Sequence, residues 1–266
     1  HSIHGPSFGP FQGWATNALF CGAECFAGRM TDHFVTVADA MRDQYLAAGI
    51  SQANDYTRIP SGFDLQPFLD AENSHTKRAS LGLSPGDFVV GKIARLFELK
   101  GHDDLFAIAP RLVKRIPNIR FLLVGDGVWR GRFERLAKEI GCDQNFIFTG
   151  LVPPSEIPSL VGVMDALVHL SRREGLPRAL PQAMAAGKPV VAFDCDGAGE
   201  VCLDGKTGHL IEPGDLPKLE ERLAKLANDA PLRTALGQAG RKVVEEEFTV
   251  EQLVERQYEL YKRLLA

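Results

Sequence analysis

Arg95 and Lys100 are the first residues whose placement points to chemistry. They follow the apolar run Phe88-Val89-Val90-Gly91 and flank a loop leading to a helical pattern that starts near His102. Two cations at a strand's end, beside a helix N-terminus, form a natural seat for a phosphate-like anion. The plainer reading is two solvated loop charges. A second group is Ser171-Arg172-Arg173-Glu174-Gly175-Leu176-Pro177, with Gln182 eight residues after Glu174. The apolar run before it ends at Leu170, and a helix is expected to start near Pro177. Glu174 then lies in a tight loop beside unpaired backbone N–H groups. A carboxylate there can accept hydrogen bonds from sugar hydroxyls, or serve only as an exposed capping acid. Gln182 would lie about one and a half turns into the helix, as a ligand or as an exposed helix residue.

Two glycine-rich loops complete the set. Gly125-Asp126-Gly127 follows an apolar run ending at Val124. It permits a tight turn or close approach of a ligand. It is not the dinucleotide fingerprint, because the third glycine position holds Arg130. Asp196-Gly197-Ala198-Gly199-Glu200 follows a run ending at Phe193 and is either a turn or an N–H cradle for an anion. His4 stands near the terminus, where a lone histidine is usually inert or a hydrogen-bonding residue.

These loops need strands to carry them. Short, non-alternating apolar runs occur at 88–94, 120–124, 145–149, 166–170, 189–193 and 209–211. Such runs mark strands buried on both faces. Between them lie helical periods, as in Leu105, Ile108, Ala109, Leu112 and Ile116, and in Phe133, Leu136, Ala137 and Ile140. Ser155 is expected to cap the helix that holds Ile157, Leu160 and Val161. The alternation predicts a doubly wound parallel sheet, with any ligand beyond the carboxyl ends of its strands.

Residues 1–80 repeat the theme with strands at 31–38 and 56–59, a helix at 39–48, and at most three strands in all. They are expected to be part of a second α/β domain, with a linker from Pro60-Ser61-Gly62 to Pro85-Gly86. Residues 81–248 would form the ligand-binding domain, and 249–266 end in an amphipathic helix over 251–265. The chain opens His-Ser-Ile-His-Gly, like the end of a strand, and its true N-terminus is expected upstream.

The 266 residues have 45% apolar and 24% charged content, as ordinary globular proteins do. Net charge of −4 favours neither nucleic acid nor an anionic membrane. Five cysteines without a CxxC pair read as free thiols in a reducing compartment. Cys21 and Cys25 could share a helix face, but only His33 is near enough in sequence to join them on a metal.

The order of these pieces resembles the retaining glycosyltransferases of family 4. The phrases that carry it are Ile59-Pro60-Ser61-Gly62-Phe63-Asp64, Ala94-Arg95-Leu96 with Lys100-Gly101, Leu123-Val124-Gly125-Asp126-Gly127, and Phe148-Thr149-Gly150. Glu174-Gly175-Leu176-Pro177 and Ala183-Met184-Ala185-Ala186-Gly187-Lys188-Pro189-Val190-Val191 complete it, with the closing helix at Tyr258-Glu259-Leu260-Tyr261. The resemblance implies the GT-B fold of two facing Rossmann-like domains, the first truncated here, with the closing helix crossing back to it. It implies that Arg95 and Lys100 bind a donor diphosphate and that Glu174 bonds the donor sugar, assisted by backbone near Gly175, Leu176 and Pro177. Backbone near Val152 would meet the base, and His4 would face the sugar from the first domain. Gly127 and Gly197 would complete the donor-binding rim. Gln182 replaces the Glu that typically holds the ribose hydroxyls, keeping one acceptor but losing charge.

The implied reaction moves a sugar, of hexose type, from a nucleotide-diphosphate sugar to a glycan or lipid-linked acceptor hydroxyl. The anomeric configuration is retained, and neither cofactor nor metal is expected. The expected location is the cytoplasm, with peripheral contact at the inner membrane face left open. Three other readings stand beside it: a GT-B sugar-nucleotide epimerase, a non-catalytic nucleotide-sugar-binding module, and a nicotinamide-dependent oxidoreductase. The last is disfavoured by Arg130.

Overall fold

A computed structural model describes residues 1–9 and 11–266. The chain opens with β1 (Ser2–Ile3), α1 (Trp14–Gly28), β2 (Phe34–Thr36), α2 (Asp39–Ala47) and β3 (Tyr56–Arg58). Then come α3 (Gln66–Leu69), α4 (His75–Ser80), β4 (Phe88–Ile93), α5 (His102–Arg115), β5 (Ile119–Val124), α6 (Arg130–Glu139) and β6 (Phe146–Gly150). The remainder is α7 (Ile157–Gly162), β7 (Ala166–His169), α8 (Ala179–Ala185), β8 (Val190–Phe193), β9 (Gly208–Ile211), α9 (Leu216–Asn228), α10 (Ala230–Glu247) and α11 (Val250–Leu265).

The strands form two sheets, one ordered β1-β2-β3 and the other β6-β5-β4-β7-β8-β9. Every strand pair is parallel. Strands β7 and β8 are buried along their whole length, which accounts for their unbroken apolar runs. In the larger sheet the chain adds strands outward from β4 to one edge, then returns to β7 and builds to the other. The switch point therefore lies between β4 and β7, and a ligand crevice opens beyond their carboxyl ends.

Each face of the large sheet carries its own core. On one side α5 and α9 press Leu105, Phe106, Leu219 and Leu223 against Val90, Phe121 and Val168. The other core is continuous from Val89, Leu122 and Leu167, through Leu180 and Met184 of α8, to Phe34, Met41 and Tyr45 beside the small sheet. At its edge the Glu200 carboxylate accepts the Asp39 and Ala40 N–H groups, both at 2.9 Å, and Arg58 Nε at 2.8 Å. An anion on the N-terminus of α2 is well placed for the helix dipole. Near the end of α11, Arg263 donates to Thr57 Oγ1 of β3 at 2.9 Å.

Three sequence expectations need correction. Pro153 and Pro154 start a 3₁₀ turn before α7, so Ser155 lies within that turn and makes no cap; α7 has no side-chain cap bond. The stretch 60–86, read as a linker, carries α3 and α4 and buries Phe63, Leu65, Phe68 and Leu83. Within it the buried Arg78 guanidinium donates to the carbonyls of Ser84 and Asp87, and to that of Val163 beyond it. Residues 31–38 pair only over β2, because the neighbouring β1 and β3 are themselves short.

Candidate functional site

The crevice at the switch point holds a cavity of about 300 Å³ lined by His4, Arg95, Lys100, Arg173, Glu174 and Gly175, among others. Arg95, Lys100 and Glu174 come from the loops after β4 and β7; His4 follows β1 of the small sheet. Five residues singled out in sequence, these four and Gly175, thus meet in one place.

The loop after β4 is held from three sides. Leu96 N–H donates to the Asp126 carbonyl at 2.9 Å, and Trp129 N–H donates to the Leu96 carbonyl at 3.1 Å. The buried His102 ring meets the Arg95 carbonyl through Nε2 at 3.0 Å. Burial first, then the nearby Lys92 cation, lower the His102 pKa to about 3. The ring is therefore neutral, and its bond to a carbonyl places the proton on Nε2. Gly101 opens α5 at φ +64°, and a Cβ there would stand 1.9 Å from the Leu170 carbonyl oxygen. Only glycine allows the α5 N-terminus to approach β7 so closely. The result is an exposed Arg95 on a fixed turn, in no ion pair among the described residues.

Lys100 crosses the crevice and donates from Nζ to Glu174 Oε1 at 2.5 Å. The Arg172 N–H donates to the Leu99 carbonyl at 2.8 Å and binds the same two loops through their backbones. Beneath Glu174, His169 Nε2 lies 3.8 Å from Oε1. Burial, then the Lys92 and Lys100 cations, push the His169 pKa well below its usual range. His169 is thus a neutral neighbour, and the carboxylate's ionic partner is Lys100. Glu174 N–H is not free: it donates to Asp196 Oδ2 at 2.6 Å. Arg173 stacks on Phe11, 3.6 Å from the ring centroid, and donates to the Pro6 carbonyl at 2.5 Å.

The other sequence candidates lie outside this cavity's lining. Gly127 N–H closes onto its neighbour Asp126 Oδ1 at 2.8 Å, so the Gly-x-Gly loop acts as the turn that buttresses Leu96. Gly197 N–H donates to the Gly175 carbonyl at 3.0 Å; it ties two loops together and is not open to an anion. Leu176 packs in the core, and the buried Pro177 accepts Leu180 N–H at its carbonyl, with α8 starting at Ala179. Val152 packs half-buried against the core, and Gln182 is half-buried on α8. The expectation of a metal-free site rested on the absence of an Asp-x-Asp pair from the crevice loops, yet strand β8 runs into Asp194-Cys195-Asp196, which is such a triplet. Cys25 donates to the Ala48 carbonyl and His33 pairs with Thr57, so the Cys21, Cys25 and His33 set does not assemble. Among the described residues, no three His, Cys, Asp or Glu side chains gather as a metal-ligand group.

Lys92 and His169 were not candidates in the sequence, and Asp196 entered only as the first residue of a glycine-rich loop. The available signal for the first two was a basic residue inside an otherwise apolar strand. Lys92 is fully buried in β4, and its amine has no hydrogen-bond partner among the described residues. Burial, then the Lys100 cation, lower its pKa to about 7, against the opposing pull of Asp104 and Glu174. The folded amine releases its proton near pH 7, whereas the unfolded one holds it to about 10.5. Stability therefore rises with pH across that window, and the full penalty applies below about pH 7. Lys92→Met is expected to stabilise the fold by ~1–3 kcal/mol at pH 6, with the advantage shrinking as pH approaches 10. Thermal melts of both proteins at pH 6, 8 and 10 check this; an advantage that is flat across pH would contradict it.

Residues 73–243 match the family model described as glycosyl transferases group 1. The chain belongs to this family. Relatives include a GDP-mannose-dependent alpha-(1-6)-phosphatidylinositol monomannoside mannosyltransferase of Mycolicibacterium smegmatis. It is 30% identical over 240 residues, covering 86% of this chain and 62% of that protein. The 2-deoxystreptamine glucosyltransferase of Streptomyces kanamyceticus is 31% identical over 185 residues, covering 68% of this chain and 46% of that protein. The chain thus spans roughly half to two thirds of the length of these relatives. Among solved structures, Anabaena Alr3699/HepE in complex with UDP superposes with a TM-score of 0.86 at 24% identity, over 98% of this chain and 71% of that one. A glycosyltransferase from Rickettsia africae gives 0.85 at 19% identity, over 99% and 70%. The GT-B class of α/β fold is shared with these structures. Among the described residues, no helix is long and apolar enough to cross a membrane.

Proposed function

We propose that this chain binds a nucleotide-diphosphate sugar in the cavity and passes the sugar to an acceptor hydroxyl with retained configuration. The observation that supports this most is the meeting of His4, Arg95, Lys100 and Glu174 around one cavity. Breaking the anomeric bond leaves negative charge on the diphosphate and positive character on the sugar. Arg95 and Lys100 stabilise the first as it develops. Glu174, already oriented by Lys100, accepts hydrogen bonds from the sugar hydroxyls. With its carboxylate committed to Lys100, Glu174 suits an acceptor role better than nucleophilic attack. Retention then follows if the acceptor arrives on the leaving group's face and the departing phosphate takes its proton.

Anabaena HepE is seen in complex with UDP and the Mycolicibacterium mannosyltransferase is GDP-mannose-dependent, so the donor nucleotide is the first thing to measure. By the family resemblance Gln182 would meet the ribose through its amide where a carboxylate is usual; it stands on α8, outside the cavity's lining. A glycan or lipid-linked acceptor and a hexose donor fit this reading, with the enzyme working in the cytoplasm. A thermal-shift screen over UDP-glucose, UDP-N-acetylglucosamine and GDP-mannose tests it. One nucleotide class is expected to raise the melting temperature. No response to any nucleotide sugar would count against the proposal.

A further inference from the structure

We infer that Asp196 is a positioning residue for the donor-sugar subsite, holding the backbone of Glu174 so that its carboxylate faces the cavity. The inference rests on the proposed sugar-nucleotide function and deepens it.

Glu174 sits five residues before α8 begins, so no helix sets its direction. Its backbone is instead fastened to the loop after β8 by two bonds running in opposite senses. Glu174 N–H donates to Asp196 Oδ2 at 2.6 Å, and Gly197 N–H donates to the Gly175 carbonyl at 3.0 Å. The second bond needs only backbone; the first needs a side chain that carries an acceptor. Asp196 reaches it from φ +49°, a left-handed conformation. Such a position strains a non-glycine residue, although Asp and Asn bear it better than most. Burial also raises its pKa, although the Glu174 N–H pulls the other way. A residue held at that position against strain and burial, with its oxygen on the amide of the sugar-facing acid, has a geometric purpose.

The far end of the same turn is anchored too. Glu200 closes the turn and holds the N-terminus of α2 and Arg58. The turn thus links the seating of the small sheet to the aim of Glu174. Gly175, one residue on, packs under the His4 carbonyl. Asp196, Glu174 and His4 therefore form one contact sequence across the crevice.

Two variants separate the side chain from the backbone. Asp196→Gly removes the acceptor yet suits φ > 0, so folding is not the obstacle. Asp196→Asn keeps an acceptor oxygen. The first readout is amide hydrogen exchange at Glu174, measured without ligand. Asp196→Gly is expected to speed it by about tenfold or more, and Asp196→Asn to leave it protected, as for loss or retention of one hydrogen bond. The second readout is the affinity gained from the sugar, taken as UDP-glucose over UDP and GDP-mannose over GDP. Asp196→Gly is expected to lose about tenfold of that gain while binding the bare nucleotide within about twofold of wild type. Asp196→Asn is expected to retain it. Wild-type exchange at Glu174 in Asp196→Gly, or an undiminished sugar gain, would overturn the inference. A wild-type protein that binds neither nucleotide would sink the proposed function instead, and the exchange measurement would still decide the role of Asp196.

Discussion

Arg95→Ala is expected to lower kcat/KM for donor cleavage by about two to three orders of magnitude, the usual loss when a preorganised transition-state charge partner is removed. Arg95 is exposed at the cavity rim, on a turn fixed by Leu96 and by the His102 ring. Its guanidinium is in no ion pair among the described residues, so its charge is available to a diphosphate. Lys100 already shares its charge with Glu174 and cannot replace it. The fold should survive, because the turn is held by backbone and by His102 rather than by the Arg95 side chain. Steady-state release of nucleoside diphosphate, with melting temperature as the control, checks both parts. A variant with near-wild-type turnover would remove Arg95 from the chemistry.

Gly175→Ala is expected to cost ~2–3 kcal/mol of stability and most of the donor-sugar affinity. A Cβ at Gly175 would stand 1.9 Å from the His4 carbonyl oxygen and 3.1 Å from Gly5 Cα. Both are backbone atoms, so no rotamer change relieves the clash. Either the 4–5 segment or the 174–175 loop must move, and in both cases His4 and Glu174 separate. Gly5→Ala is the matched control: its Cβ would meet only Gly175 N at 3.8 Å, an ordinary contact. Denaturant unfolding of the two variants is expected to show a lowered midpoint for Gly175→Ala alone. Equal midpoints would mean that the His4 contact is slack.

Much of the candidate site's placement was legible because parallel sheets put ligands at strand carboxyl ends, and buried strands leave unbroken apolar runs. Those runs located the loops holding Arg95, Lys100 and Glu174 without any knowledge of strand order. What strand order adds is that β4 and β7 are neighbours, which brings two loops more than seventy residues apart in sequence into ion-pair contact. The glycine-rich loops were less informative, since a free N–H and a bonded one look alike in sequence. Gly127 and Gly197 proved to be bonded within the protein. Lys92 and His169 stood out in sequence only as basic residues within apolar runs, which does not show what they face. Asp196 was hidden because its role depends on a tertiary contact with Glu174. Helix α1 left no period to find, since it buries no residue and exposes Trp14, Leu19 and Phe26. Helices α9 and α10 do carry signals, with Leu219, Leu223 and Leu226 on one buried stripe and Asp215 and Asp229 as caps.

The meeting of anion and cation at the crevice is tested most directly by isothermal titration of UDP and GDP into wild type and Arg95→Ala. One of the two nucleotides is expected to bind wild type at a single site and to bind Arg95→Ala at least about tenfold more weakly, the scale of one lost charge-assisted contact. Equal affinity for the two proteins would place the diphosphate away from Arg95 and contradict the proposed site.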